Sequence, residues 1–306
     1  MHITFCCQGA PTESWLQGLR AALPGATVSA WAPGARPADY AVVWAPPQQL
    51  IDEQPQLQAL FNIGAGVDAL MALRLPPQLP VIRLDDAGMA VQMAEYVTQG
   101  VVRHFRALDQ AEAALRQGHW LQPPTHDRAD FPVGIMGLGV LGRRVAQALQ
   151  LFEFPVYGWS RSPKTLPGAT SFHGAQQFGD FLRHSRVLVN LLPLTPETAN
   201  ILNRDTFAQL QPGGYLINVA RGAHLVEDDL LAAIAQGQLA GALLDVFRTE
   251  PLPADHPLRH EPRITLTPHT SARTLQSATI AQIAGKITAL QRGEPITGRV
   301  WAERGY

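Results

Sequence analysis

The stretch Gly137-Leu138-Gly139-Val140-Leu141-Gly142 decides the fold of this 306-residue chain. It follows a short apolar run, Pro132–Met136, that is typical of a buried strand. After it, apolar residues recur at helical spacing as far as Phe152, and a second strand-like run covers Pro155–Trp159. Because parallel strands need a crossover connection, this order predicts two parallel strands joined by a helix.

In that setting the glycine spacing matches a dinucleotide-binding fingerprint. Gly137 is expected to make the tight turn, Gly139 to let a pyrophosphate approach the backbone, and Gly142 to let the helix pack closely on the strand. The N-terminus of the helix then faces the phosphates. The alternative is a glycine-rich turn between a strand and a helix that binds no ligand.

The end of the second strand indicates which nicotinamide cofactor fits. An NAD site usually places Asp or Glu there to bind the ribose 2′-hydroxyl, whereas this chain reads WSRSPK at residues 159–164. Arg161 and Lys164 offer positive charge to a 2′-phosphate. Ser160 and Ser162 each add a hydroxyl. The loop predicts NADP(H) rather than NAD(H), with a solvated basic loop as the alternative.

Strand-like and helical runs alternate through the rest of the chain, which predicts α/β domains with parallel sheets. In the second half, further strands are predicted at Arg186–Leu192, Gly214–Val219, Ala242–Phe247 and Arg263–Leu266. In the first third, strands are predicted at Ile3–Cys7, Ala26–Trp31, Tyr40–Ala45, Ala59–Ile63 and Pro80–Leu84. One long helix is predicted from Met89 to Gln117, where Gly118 can end it.

Composition and charge exclude several classes of partner and location for this chain. The net charge is −1, so nothing favours nucleic acid as a partner. No apolar run approaches the ~20 residues that span a bilayer, and the N-terminus does not resemble a secretory signal. Cys6 and Cys7 are adjacent, which excludes a disulfide framework. We therefore expect a cytoplasmic protein without a membrane partner or a metal site.

Arg221, Glu250 and His269 each follow a late predicted strand. Ligands of open α/β sheets bind beyond the carboxyl ends of the strands, so all three are placed to reach one cleft. Reduction of a 2-oxo acid needs a fork that holds the carboxylate, a donor that polarises the carbonyl and a proton source. An arginine and a histidine beside a carboxylate supply these. Taken singly, each residue has a plainer interpretation: a surface ion pair, a solvated turn or a structural histidine.

Together these features resemble the D-isomer-specific 2-hydroxyacid dehydrogenases, and most closely the bacterial glyoxylate/hydroxypyruvate reductases. The likeness extends over essentially the whole chain. Besides the glycine turn and the segments around Arg221, Glu250 and His269, it is carried by Gly64–Asp68 (GAGVD), Trp159–Ser162 (WSRS) and Asn190–Thr198 (NLLPLTPET).

The resemblance implies a Rossmann NADP-binding domain, residues 99–269, inserted into a flavodoxin-like substrate-binding domain, residues 1–98 and 270–306. Both domains are doubly wound α/β folds. The implied reaction is the NADPH-dependent reduction of glyoxylate to glycolate and of hydroxypyruvate to D-glycerate. The implied assembly is a homodimer.

The resemblance also assigns roles to residues. Arg221 binds the substrate carboxylate and carbonyl, His269 is the acid/base, and Glu250 partners His269. The residues implied to contact substrate are Trp44, Ala65, Gly66, Met89, Arg221 and His269, with Ala65 and Gly66 acting through backbone N–H groups. The residues implied to contact the cofactor are Gly137, Leu138, Gly139, Val140, Leu141, Gly142, Ser160, Arg161, Ser162, Lys164, Leu192, Pro193, Val219, Ala220 and Asp245.

Some interpretations stay open. Asp245 is expected near the nicotinamide carboxamide, or else is a strand-end residue that bonds the backbone, and Trp44 either lines the pocket or packs in the core. Ser271–Arg273 is more polar than is usual in the subgroup, and the closing Arg304-Gly305-Tyr306 has no assigned role. The competing functions are an NAD-linked dehydrogenase of a larger 2-hydroxy acid and a non-catalytic dinucleotide-sensing module.

Overall fold

The computed structural model describes residues 1–9 and 11–300, and Arg304-Gly305-Tyr306 lies outside them. The chain separates into two compact units. The first unit comprises Met1–Met89 and the stretch from Thr274 onward, and the second, Ala90–Arg273, is inserted between them. The domain boundaries predicted after residues 98 and 269 stay predictions.

The regular elements are numbered in chain order. The strands are β1 (His2–Cys7), β2 (Thr27–Ala30), β3 (Tyr40–Trp44), β4 (Ala59–Asn62), β5 (Val81–Ile82), β6 (Val133–Met136), β7 (Val156–Ser160), β8 (Thr170–His173), β9 (Val187–Asn190), β10 (Gly214–Asn218), β11 (Leu239–Leu244), β12 (Ile264–Leu266) and β13 (Arg299–Val300). The helices are α1 (Thr12–Ala22), α2 (Gln48–Glu53), α3 (Asp68–Met71), α4 (Met89–Phe105), α5 (Leu108–Arg116), α6 (Val140–Leu151), α7 (Phe178–Arg183), α8 (Arg204–Ala208), α9 (Glu227–Ala235) and α10 (Gln276–Gln291).

The first unit is built on a six-stranded sheet in the order β13-β5-β4-β3-β1-β2. Its strands are parallel except β13, which runs antiparallel to β5. The central strand β3 is apolar along its length, and Ala41, Val42 and Val43 are fully buried, as expected where helices cover both faces. The order 2-1-3-4-5 is that of a flavodoxin-like sheet.

The second unit has a seven-stranded parallel sheet in the order β12-β11-β10-β9-β6-β7-β8. Strands β6 to β11, in the order β8-β7-β6-β9-β10-β11, follow the Rossmann order 3-2-1-4-5-6, and β12 extends the sheet. Ile217 and its neighbour Leu216 are both buried but belong to different core clusters, because adjacent side chains on a strand point to opposite faces. The predicted α/β fold class, with two doubly wound domains, is confirmed.

The prediction of one long helix from Met89 to Gln117 is wrong, because α4 ends at Phe105 and α5 begins at Leu108. Ala107 between them has a left-handed φ of 46°. Burial explains the break: α4 buries Val101 and Phe105, whereas α5 buries no residue, so no shared apolar face keeps the two collinear. Within the described residues, no helix has the length and hydropathy to cross a bilayer.

Candidate active site

The loops that carry Arg221, Glu250 and His269 leave the sheet of the second unit at one edge. They follow β10, β11 and β12, which are neighbours in the sheet and pair in parallel. Because parallel strands all end at the same edge, the three loops are adjacent.

His269 and Glu250 form a hydrogen-bonded pair. The ring Nδ1 lies 2.8 Å from Glu250 Oε2, and the other carboxylate oxygen, Oε1, accepts the backbone N–H of Phe247 at 2.9 Å. Both side chains are partly exposed, to 45% and 36%. Since Nδ1 is directed at the acid, Nε2 is the nitrogen available to a ligand.

The backbone of His269 takes an unusual conformation, with φ of 53°. Its N–H donates to the carbonyl oxygens of Asp245 at 2.9 Å and Thr267 at 3.1 Å. A left-handed residue other than glycine costs about 1–3 kcal/mol and persists only where its surroundings hold it. The loop around His269 is therefore held in place by other residues.

The fully buried Asp245 supplies most of that support. Its Oδ1 accepts the Thr267 hydroxyl at 2.6 Å and the Thr270 N–H at 2.8 Å, and its Oδ2 accepts the Ser271 N–H at 2.8 Å. These contacts match the interpretation of Asp245 as a strand-end residue that bonds the backbone. Its contact with a cofactor stays a prediction.

Arg221 follows β10 in a turn with a fixed backbone. Asn218 Nδ2 donates to the Arg221 carbonyl at 3.1 Å, and Asn218 Oδ1 accepts the Ala220 N–H at 3.3 Å. One guanidinium nitrogen donates to the Ala220 carbonyl at 2.8 Å. The side chain is half-buried, so part of the guanidinium can reach a ligand.

The Arg221 turn packs directly on the loop that holds Glu250. A Cβ on Gly222 would lie 1.8 Å from the carbonyl carbon of Phe247, so only glycine fits there. Phe247 in turn donates to Glu250, which bonds His269. A continuous set of contacts thus runs from the Arg221 turn to the imidazole.

The glycine turn has the shape that a dinucleotide needs. A Cβ on Gly142 would meet the Gly137 carbonyl oxygen at 1.9 Å, so this glycine permits close packing of α6 on β6. Gly139, by contrast, has nothing within 4 Å of its Cβ position and begins α6 without a side-chain cap. Open space at an uncapped helix N-terminus fits a pyrophosphate.

The side chains inside the fingerprint point in different directions. Leu138 is buried against Gly158, so it can offer a ligand only its backbone. Leu141 packs on the core, and Val140 is 48% exposed. A direct contact between these side chains and a cofactor stays a prediction.

The loop after β7 carries positive charge beside the glycine turn. Lys164 Nζ donates to the Leu138 carbonyl at 3.2 Å, and Arg161 and Ser162 are exposed. The Ser160 hydroxyl donates to the Ser162 carbonyl at 2.9 Å, which shapes the loop. A hydrogen bond from Thr195, with a smaller contribution from the charge of Arg161, holds the pKa of Glu197 below its usual range.

Two fully buried asparagines that were not assigned a role from the sequence link the loops that follow β9 and β10. Asn190 and Asn218 end the neighbouring strands β9 and β10, and Asn190 Nδ2 donates to Asn218 Oδ1 at 3.1 Å. Asn190 Oδ1 accepts the Leu192 N–H at 3.2 Å. The segments at Leu192–Pro193 and Val219–Ala220, both predicted to contact the cofactor, are joined through this pair. The sequence did contain a signal for this pair, because an asparagine ends each of two apolar strands.

In the first unit, the loop at Ala65 and Gly66 is held by a buried asparagine. Asn62 Nδ2 donates to the carbonyl oxygens of Gly64 at 3.1 Å and Gly66 at 2.7 Å. A Cβ on Gly64 would lie 2.4 Å from the ring of Trp44. The six-membered ring of the half-buried Trp44 therefore packs against this loop.

Met89 is buried at the start of α4. Across residues 1–9 and 11–300, no group of three or more His, Cys, Asp or Glu side chains is arranged to hold a metal ion.

Comparison with known proteins agrees with this architecture. Residues 99–271 match the family described as D-isomer specific 2-hydroxyacid dehydrogenase, NAD binding domain. Over the full length of both proteins, the chain is 50% identical to glyoxylate/hydroxypyruvate reductase A of Serratia proteamaculans and 47% identical to that of Citrobacter koseri.

Two solved structures are also similar. A D-isomer specific 2-hydroxyacid dehydrogenase of Xanthobacter autotrophicus Py2, in complex with NADPH and MES, matches with a TM-score of 0.95 and 38% identity over 100% of this chain and 99% of that chain. The NADPH-dependent glyoxylate/hydroxypyruvate reductase of Sinorhizobium meliloti, in complex with NADP and sulfate, matches with a TM-score of 0.93 and 33% identity over the same shares. The chain belongs to the D-isomer-specific 2-hydroxyacid dehydrogenase family.

Proposed function

We propose that this chain is an NADP-dependent oxidoreductase that reduces glyoxylate to glycolate and hydroxypyruvate to D-glycerate. The observation that carries the proposal is the His269–Glu250 pair, joined at 2.8 Å beside the Arg221 turn. Relatives that share 33–50% of its sequence are named for this activity or are bound to NADPH or NADP.

Arg221 is the group that binds the substrate. Its guanidinium fork matches the planar carboxylate of a 2-oxo acid and reaches toward the carbonyl oxygen, where negative charge develops. The Asn218 contacts fix the backbone from which the fork projects. Arg221 therefore acts in both substrate binding and turnover.

His269 is the general acid. With Nδ1 bonded to Glu250, the ring presents Nε2 and the proton that Nε2 carries as the general acid. His269 gives that proton to the carbonyl oxygen as the carbonyl carbon is reduced, and the product is a 2-hydroxy acid. In the reverse direction the same nitrogen accepts the hydroxyl proton.

The glycine turn and the loop after β7 hold the cofactor. NADPH, when bound, supplies the hydride for the carbonyl carbon. The open space at Gly139 accommodates the pyrophosphate, and Arg161 and Lys164 neutralise the 2′-phosphate. By resemblance to the family, Leu192, Pro193, Val219 and Ala220 are assigned to contacts with the cofactor, and Asp245 is assigned to the nicotinamide carboxamide.

The first unit contributes the remaining substrate contacts. The backbone N–H groups of Ala65 and Gly66 bind the carboxylate, in a loop whose carbonyls Asn62 holds. Trp44 and Met89 limit the size of the substrate. Because the family resemblance assigns Trp44 and Met89 to the substrate-binding residues, we propose glyoxylate and hydroxypyruvate rather than longer 2-oxo acids.

The test is cofactor oxidation measured with both reduced cofactors and a series of 2-oxo acids of increasing length. The proposal expects the highest kcat/KM with NADPH and glyoxylate or hydroxypyruvate. Preference for NADH and a larger substrate would instead support the NAD-linked dehydrogenase. Tight NADPH binding without turnover of any substrate would support the sensing module.

A homodimer through the second unit is part of the proposal, as is a cytoplasmic location. Leu115, Trp120 and Leu121 are exposed to 54%, 83% and 45%, which is unusual for large apolar side chains in one segment. The same unit has a cavity of about 570 Å³ whose lining includes Phe105 and Phe152. Light scattering of the wild type and of Trp120→Glu, which is expected to be monomeric, tests the assembly.

A further inference from the structure

His224 lies in the turn that follows Arg221, and its side chain is fully buried. Both ring nitrogens face backbone carbonyl oxygens: Nδ1 lies 3.2 Å from that of Arg221, and Nε2 lies 3.3 Å from that of Pro193. The first carbonyl belongs to the loop after β10 and the second to the loop after β9. One ring therefore bridges the segment assigned to the substrate and a segment assigned to the cofactor.

Each of these carbonyls also has a second side-chain donor. Asn218 Nδ2 donates to the Arg221 carbonyl at 3.1 Å, and the Thr198 hydroxyl donates to the Pro193 carbonyl at 2.7 Å. A neutral imidazole has one N–H and donates to one carbonyl at a time. Whichever nitrogen of His224 is protonated, both carbonyls therefore keep a hydrogen-bond donor.

The bridge acts on the backbone from which the Arg221 side chain projects. Asn218 hydrogen-bonds the backbone on both sides of the Arg221 side chain. It accepts the N–H of Ala220, the preceding residue, and donates to the carbonyl of Arg221 itself. Gly222, next along the chain, is fixed against Phe247 because no Cβ fits there. His224 adds a further contact with this turn, because its Nδ1 faces the Arg221 carbonyl. A displacement of about 1 Å in a substrate-positioning group can reduce a rate about 100-fold.

We propose that His224 is a positioning residue for Arg221. The buried ring packs between the Arg221 carbonyl and the Pro193 carbonyl and donates its N–H to one of them at a time, so the Arg221 turn and the Pro193 loop are held against opposite sides of one ring. His224 itself touches neither substrate nor cofactor in this assignment. The inference rests on the proposed role of Arg221 in binding the carboxylate of a 2-oxo acid.

Three substitutions separate the two sides of the ring. The amide nitrogen of His224→Asn can take the place of Nδ1 and donate to Arg221, whereas the longer His224→Gln places its amide near Nε2 and donates to Pro193. His224→Leu keeps much of the volume and has no donor. For each variant, the measurements are kcat and KM for glyoxylate, the Kd of NADPH from fluorescence quenching, and hydrogen exchange in residues 218–226.

The variants are expected to separate the effect on KM for glyoxylate from the effect on the Kd of NADPH. His224→Leu raises KM for glyoxylate at least about tenfold, lowers kcat and speeds exchange in the Arg221 turn. His224→Asn keeps KM within about threefold of the wild type while its NADPH Kd rises. His224→Gln does the reverse. If the leucine variant does not fold, the contrast between the asparagine and glutamine variants still decides.

Three results would overturn the proposal: kinetics of folded His224→Leu within about twofold of the wild type, unchanged hydrogen exchange in the Arg221 turn of that variant, or equal behaviour of the asparagine and glutamine variants. Failure of the proposed function is distinguishable from each of these. A wild type that does not reduce glyoxylate refutes the function, whereas unchanged exchange in the Arg221 turn of His224→Leu refutes the positioning role.

Discussion

His269 and Glu250 are joined by a 2.8 Å hydrogen bond between Nδ1 and Oε2, although they follow different strands. The second oxygen of Glu250 accepts the N–H of Phe247, so the backbone fixes the position of the carboxylate that bonds the imidazole. An imidazole anchored in this way at one nitrogen has its other nitrogen in a defined direction. This geometry makes His269 suitable for directed proton transfer rather than for a merely structural contact.

Replacement of His269 by Gln is expected to reduce kcat about 100- to 10,000-fold, because glutamine cannot donate the proton. NADPH binding, measured by fluorescence titration, should change by no more than about twofold. His260→Gln, at an exposed histidine, is the matched control. Wild-type turnover in the His269 variant would end its assignment as the acid.

Replacement of Arg221 by Ala is expected to raise KM for glyoxylate and also to lower kcat, since the guanidinium acts on both the carboxylate and the carbonyl. Arg221→Lys keeps the charge but loses the planar fork, so it should recover only part of the loss. Steady-state kinetics with saturating NADPH give both constants. A normal KM in the alanine variant would contradict the assignment.

Features with a local chemical cause were predictable from the sequence. The glycine turn followed from its spacing between a strand and a helix, and the strand-end positions of Arg221 and His269 followed from the alternation of elements. The family resemblance supplied the pairing of His269 with Glu250, which the contact at 2.8 Å matches.

Features that depend on tertiary contacts were not predictable. The strand predicted at Ala242–Phe247 is observed at Leu239–Leu244, because Val246 and Phe247 are buried in a loop rather than in the sheet. The break at Ala107 has no glycine or proline to mark it. His224 was not singled out, since its two partners lie in different loops that only the fold brings together.

Replacement of Asp245 by Asn is expected to loosen the His269 loop. In the wild type, the two carboxylate oxygens accept the backbone N–H groups of Thr270 and Ser271. In the variant, the side-chain NH₂ would face one of these N–H groups, and two donors cannot bond each other, so the second unit should lose about 1–3 kcal/mol of stability. Urea unfolding, together with hydrogen exchange in residues 267–271, measures the effect. Asp255→Asn, at an exposed acid, is the control, and equal stability of the two variants would contradict the supporting role.

Replacement of Arg161 by Ala is expected to weaken NADPH binding about tenfold or more, because a charge-assisted bond to the 2′-phosphate is lost. NADH has a neutral hydroxyl there, so its Kd should hardly change. Arg183→Ala, at an exposed arginine on α7, controls for the loss of surface charge. An equal loss of affinity for the two cofactors would show that Arg161 does not read the phosphate.

His104 is expected to make the stability of the second unit depend on pH. Its ring stacks on Tyr215 with 4.1 Å between the centroids, and burial, with smaller contributions from the charges of Arg186 and His126, lowers its pKa to about 4. In the unfolded chain a histidine has a pKa of about 6.5. Between these two pH values the unfolded chain binds a proton at His104 that the folded chain does not. The contribution of the buried neutral ring to the free energy of unfolding is therefore fully present above about pH 6.5 and is lost as the pH falls toward 4.

Replacement of His104 by Phe should remove this dependence while keeping a flat ring against Tyr215. From pH 7 to pH 5 the histidine contributes a loss of about 2 kcal/mol in the wild type, and the variant should lose less by about that amount. Urea unfolding at the two pH values measures the difference, with His119→Gln, at an exposed histidine, as the control. Parallel losses in the wild type and His104→Phe would mean that the buried ring is not the group that titrates.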